Sequence, residues 1–111
     1  MKQLVWLSFD LGIDGDYSNL YYWLDNKGAK DCGTNLAALD FIYEDNLLKE
    51  IEKDLRKTVR LRKTDRVYVI YGYYEEGVKK FRGKFIVGNR KPAPWKGFAD
   101  EELDEAEDNE Y

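Results

Sequence analysis

The chain has no histidine, one cysteine, one methionine and two prolines in 111 residues. Without histidine, a His general base, a Cys–His nucleophile pair and a His-ligated zinc site are excluded. The lone Cys32 forbids an internal disulfide. We expect it as a small buried or half-buried side chain rather than a reactive thiol. No apolar run reaches membrane-spanning length, and no basic segment leads into an apolar one. The chain therefore reads as soluble and cytoplasmic, with no membrane partner. Aromatic residues, by contrast, are plentiful: they make up 15% of the chain, with nine tyrosines. That exceeds what a minimal core uses, so some of these rings belong at a surface or an interface. A hydrophobic content of 43% at this length supports one domain around one core.

Charge is segregated rather than scarce. Residues 1–48 hold three basic and eight acidic side chains, whereas residues 49–66 hold eight basic and four acidic. Residues 79–98 hold seven basic side chains and no acidic one; residues 99–111 hold eight acidic and no basic. The net charge of −4 is thus a product of the tail, and nucleic acid stays open as a partner of the body. The tail could compete for the basic segment in cis as a mimic of phosphate charge, serve solubility alone, or act with "KPAPW" as a docking arm for a protein.

The run "QLVWLSFDL", residues 3–11, is apolar on both faces and predicts a central strand covered on both sides. "GIDGD" is turn chemistry, and Asp16 is placed to cap a helix over Tyr17 to Asn26 that Gly28 ends. Tyr17, Leu20, Tyr21 and Leu24 form its apolar stripe. "TNLAALDFIY", 34–43, predicts a second strand after a Cys-Gly turn, with Leu39, Phe41 and Tyr43 on one face. "EDN" then caps a helix from Leu47 to about Arg60, striped by Leu47, Leu48, Ile51, Leu55 and Val59. "RVYVIYGYY", 66–74, and "KFRGKFIV", 80–87, flank a Gly77 hairpin turn. In the last strand Phe81, Gly83, Phe85 and Val87 share one side. The order is β-α-β-α-β-β, an α/β (α+β) class chain, and its economical solution is a ferredoxin-like two-layer sandwich. That solution needs two strands between the helices, and one long bent strand competes with it. We expect a domain over 1–88, a Pro/Trp-containing extension over 89–98 and a flexible acidic tail over 99–111.

The sequence of motifs "LSFDL", "NLYYWLDNKG", "LAALDF", "LLKEIEKDLRKTV" and "DRVYVIY" resembles the small ferredoxin-fold proteins of the Cas2 and VapD kind, over residues 4–71. The chain departs from that pattern in its second strand, where Ala37, Ala38 and Leu39 stand in place of a Ser and a bulky aromatic. The resemblance implies a homodimer with its sheets packed together and Asp10 of each copy near the two-fold axis. It implies a metal-dependent ribonuclease or a non-catalytic scaffold on RNA or DNA.

Asp10 is the one catalytic candidate, as a ligand for Mg²⁺ or Mn²⁺ that positions a water on a phosphodiester. The bland reading is a strand-ending Asp that bonds loop N–H groups. Asp14, Asp16, Ser18 and Asp25 also fall at calcium-loop spacing, but Asn19 stands where such a loop needs Gly. Candidate nucleic-acid contacts are Arg56, Arg60, Arg62, Arg82, Lys84, Arg90, Lys91 and Trp95, basic residues with rings among them. Their bland reading is a solvated face with edge lysines that block aggregation. Set against a nucleic-acid protein is a non-catalytic interaction module that uses the aromatic and basic face and the C-terminal arm.

Overall fold

The apolar run near the start forms β1, Lys2–Asp10, and its alternation organises the rest. Val5, Leu7 and Phe9 are buried on one face, whereas Leu4, Trp6, Ser8 and Asp10 take the other. In the computed structural model, which describes residues 1–99, β1 is followed by α1 (Tyr17–Asn26), β2 (Lys30–Gly33), β3 (Leu36–Ile42), α2 (Leu47–Thr58), β4 (Arg66–Glu75) and β5 (Val78–Val87). The strands form one antiparallel sheet in the order β2-β3-β1-β4-β5. The described residues form an α+β domain of five strands and two helices.

The expectations need correction in three places. The segment between the helices supplies two strands, as the sandwich needs, and not the single strand of the expected order β-α-β-α-β-β. Lys30, Asp31 and Cys32 show no apolar alternation and are all exposed, so β2 is held by backbone pairing to β3. Its turn uses positive φ at Gly33 and Asn35. Cys32 rides on this edge strand and is exposed, not buried. Second, β1 is central but, among the described residues, covered on one side only. Leu20, Trp23 and Leu24 of α1 and Ile51 and Leu55 of α2 join Val5, Leu7, Phe9, Leu39, Phe41, Val67 and Val69 in a single core. The opposite face of the sheet is open, and Leu4, Ile42 and Phe81 stand exposed on it. Third, Val87 does not share a side with Phe85. The β4–β5 register steps from Val67↔Val87 to Tyr68↔Phe85, which leaves Ile86 as an extra residue and turns Val87 into the core.

The helices form where their caps and stripes place them. The Asp16 side chain accepts from Asn19 N–H at 3.4 Å, and from Arg60 N–H at 2.8 Å, which ties the start of α1 to the chain leaving α2. Leu20 to Asp25 is helical, so the calcium-loop spacing is a cap plus a helix surface. Trp23, outside the expected stripe, is buried, and its indole N–H donates to Asp54 of α2 at 2.9 Å. Arg56 and Glu52 pair at 2.9 Å one turn apart. The wholly buried Asp65 accepts from Arg62 N–H at 2.6 Å and pairs with its guanidinium at 3.2 Å. That guanidinium also donates to Leu11 carbonyl at 2.6 Å, which fixes the loop after β1. No helix among the described residues is long and apolar enough to cross a membrane. The flexible acidic tail expected from residue 99 onward lies, from residue 100, outside the described residues.

The entry to α2 yields a pH test. Asn46 caps the helix through Lys49 N–H at 3.1 Å. Glu50 reaches back and accepts from the N–H groups of Glu44, Asp45 and Asn46 at 2.9, 2.9 and 2.7 Å. These bonds, those from Glu44 and Asp45 foremost, hold the Glu50 carboxyl below its ordinary value. A carboxylate with a depressed folded pKa contributes stability above its unfolded pKa and loses it as pH falls through the folded one. Glu50→Gln therefore lowers the urea midpoint at neutral pH. The gap from the parent closes as both are acidified below the folded value.

Candidate nucleic-acid interface

Antiparallel pairing sets Asp10, the last residue of β1, directly across from Arg66, the first residue of β4. Both lie on the open face. Arg66 Nη2 donates to Asp10 Oδ2 at 3.1 Å, and Gly12 N–H donates to Oδ1 at 3.3 Å. The Arg66 bond is the main reason the Asp10 carboxyl sits below the usual aspartate range; slight burial opposes it, while Gly12 N–H and the charges of Arg66 and Lys91 add to it. Asp10 is thus ionised at neutral pH and still accessible, its side chain 56% exposed.

One pleat along, Ser8 faces Tyr68, and Tyr68 faces Phe85. The two rings meet edge to face with centroids 4.7 Å apart. Gly83 makes this geometry available: a Cβ there would collide with the Tyr68 ring, which lies across the glycine. From the loop after β5, Arg90 brings its guanidinium to 5.5 Å from the Tyr68 ring centre and 5.4 Å from that of Phe85. Arg66 stands 6.0 Å from the Phe85 ring centre. Ser8, Asp10, Arg66, Tyr68, Phe85 and Arg90 together line a groove of about 250 Å³. The Nε of Arg66 is buried there without a hydrogen-bond partner.

The basic candidates from the sequence separate by pleat and by element. Arg90 lines the groove, and the Lys91 charge reaches Asp10. Arg82 and Lys84 pair across from Tyr71 and Val69, which puts them on the other side of the sheet, with Arg82 4.0 Å over the Tyr73 ring. Arg56 is engaged with Glu52, Arg62 with Asp65 and Leu11, and Arg60 is exposed just past α2 beside Asp16. Trp95 is 75% exposed in a turn beyond β5. Sequence reasoning left Arg66, Tyr68, Phe85 and Ser8 out of the site. Their signal is the odd–even alternation of β1, β4 and β5, which becomes informative only with the cross-strand register. Among the described residues, no three Cys, Asp or Glu side chains converge as a metal-holding group. A Mg²⁺ or Mn²⁺ ion at Asp10 would share its carboxylate with the guanidinium of Arg66.

Compared with protein-family models, with curated proteins and with solved structures, the chain gives no match.

The bond to Arg66 makes a direct prediction. Arg66→Gln raises the Asp10 carboxyl toward the ordinary aspartate value, as followed by NMR titration of its side-chain carbon. An unmoved titration would mean that the loop N–H alone sets it.

Proposed function

We propose that the protein is a small nucleic-acid-associated homodimer of the Cas2/VapD-like kind, acting as a non-catalytic scaffold on single-stranded RNA or DNA. The observation that carries this reading is the groove on the open sheet face, where Tyr68 and Phe85 lie beside Arg66 and Arg90. Rings on an open antiparallel sheet stack unpaired bases, and guanidinium groups beside them hold phosphates. Much of the rest of that face is apolar, with Lys2 and Asp40 as charged exceptions. Leu4, Trp6, Ala38, Ile42, Ile70 and Phe81 form a patch that a second copy would cover. The Asp10 end would then lie along the seam. The ferredoxin-like reading of the fold is supported by the succession β1-α1-β2-β3-α2-β4 with both helices on one face, β5 being an addition.

The test is fluorescence anisotropy with labelled single strands on the order of ten nucleotides long. Binding is expected, and it weakens steeply as salt rises. Tyr68→Ala with Arg90→Ala weakens it by about tenfold or more at unchanged far-UV circular dichroism. No binding at low salt, or equal binding by the double variant, overturns the reading. The same mixtures with Mg²⁺ or Mn²⁺ are expected to leave the strand intact. Cleavage that Asp10→Ala abolishes would instead make the protein a metal-dependent phosphodiesterase.

Exposed Trp95 and Phe98, at 75% and 56%, favour a second reading in which the C-terminal arm docks a protein partner. It stands if nucleic acid does not bind, and replacing both rings by Ala would then abolish partner capture.

A further inference from the structure

We propose that the groove reads one base and that the base is guanine, held on its Watson–Crick edge by the carboxylate of Asp10. The inference rests on the nucleic-acid reading above and names the base it selects.

Size comes first. Pockets for drug-sized ligands begin near ~300 Å³. The groove, at about 250 Å³, is sized for one nucleobase. Its walls supply the two things that hold an unstacked base. Tyr68 and Phe85 offer ring surface, and Arg90, on a loop rather than a strand, lies over those rings and would lift to let a base slide between them and its guanidinium plane.

Selection follows from hydrogen-bond inventory. The Asp10 carboxylate is bonded to Arg66 and Gly12 N–H, which keep it ionised. An ionised carboxylate accepts and cannot donate. Each of its oxygens has given one lone pair to these partners and keeps another, and the side chain is 56% exposed to receive a ligand. The facing edge must therefore offer two adjacent donors. Guanine does so, through N1–H and the N2 amino group. Adenine and cytosine set a ring nitrogen acceptor next to a single amino group, and that acceptor would face a carboxylate oxygen. Uracil and thymine flank one N–H with two carbonyls. A carboxylate in this place repels three base types at the position where it doubly bonds the fourth.

Arg66 has a defined part as a positioning residue. Its bond to Oδ2 fixes the carboxylate plane, and its 6.0 Å approach to the Phe85 ring fixes the arginine in turn. Ser8, one pleat away on β1, adds a hydroxyl to the groove wall.

The experiment displaces a labelled mixed-sequence strand from the full chain with GMP, AMP, CMP and UMP in turn. GMP is expected to compete about tenfold better than the other three. Asp10→Asn places a donor beside the remaining oxygen, and the ratio of GMP to AMP competition is expected to fall to about two or less. Thermal melting of Asp10→Asn and a second variant, Asp10→Ser, guards against loss of fold, and both are expected to lose the preference. If the labelled strand binds but the four nucleotides compete equally, the guanine proposal fails and the scaffold reading survives. If preference persists in both variants, Asp10 is not the reader and the proposal fails. If no strand binds at all, the scaffold reading and this proposal fall together.

Discussion

Both helices pack on the same face of the sheet, and the rest of the molecule depends on that asymmetry. The inward set Val5, Leu7 and Phe9 meets Leu20, Trp23, Leu24, Ile51 and Leu55 in the one core the chain is long enough to build. Nothing among the described residues covers the outward set, which is apolar over much of its middle and carries Asp10 and Arg66 at one end and Lys2 and Asp40 toward the other. Leu4, Trp6, Ile42, Ile70 and Phe81 are there, with Tyr68 and Phe85. An antiparallel sheet that faces water on one side ordinarily alternates apolar and polar along each strand. In β1 and β4 that pattern holds only in part: Leu4, Trp6 and Ile70 stand on the outward side among Lys2, Ser8, Asp10 and Arg66.

The open face is not uniform, and its division follows from strand direction. β1 ends where β4 begins, so the carboxylate of Asp10 and the guanidinium of Arg66 fall across from each other at one end of the sheet. The loop after β5 returns to the same end and adds Arg90. Toward the other end the face carries Leu4 and Ile42 without such groups, although Asp40 interrupts it. One end therefore suits a charged, stackable ligand, and the other suits an apolar surface. The two uses do not compete for the same side chains.

Much of this was legible in the sequence, and the gaps have physical causes. α1 was readable because Asp16 and the Leu20–Leu24 spacing agree, and α2 because Asn46, Ile51 and Leu55 agree. β2 was not, since Lys30-Asp31-Cys32 buries nothing and its pairing leaves no side-chain pattern. Trp23 was missed because the stripe was drawn through Tyr17 and Tyr21; the buried side instead runs Leu20, Trp23, Leu24, and Tyr21 is exposed. At the site Asp10 was visible as a strand-terminal acid, but its partner was not. Arg66 reads locally as one more base in a basic stretch; only the register makes it the ligand of Asp10. The same holds for Gly83, which alternation treats as a gap and the structure uses as the bed of the Tyr68 ring.

The ion pair also bears on which chemistry the groove supports. A divalent cation bound through Asp10 would have to displace Arg66 or share the carboxylate with it, and a guanidinium at 3.1 Å opposes a second positive charge there. No other acid joins Asp10 within the described residues to offset that repulsion. A base edge with two N–H donors meets no such obstacle, because it brings partial rather than full positive charge and leaves the Arg66 bond intact. The cross-strand pair that a metal at the end of β1 would have to share is therefore the same one that holds the Asp10 carboxyl below its ordinary value and so keeps it an acceptor at neutral pH. Neutral ligands with paired donors are what such an acceptor discriminates best.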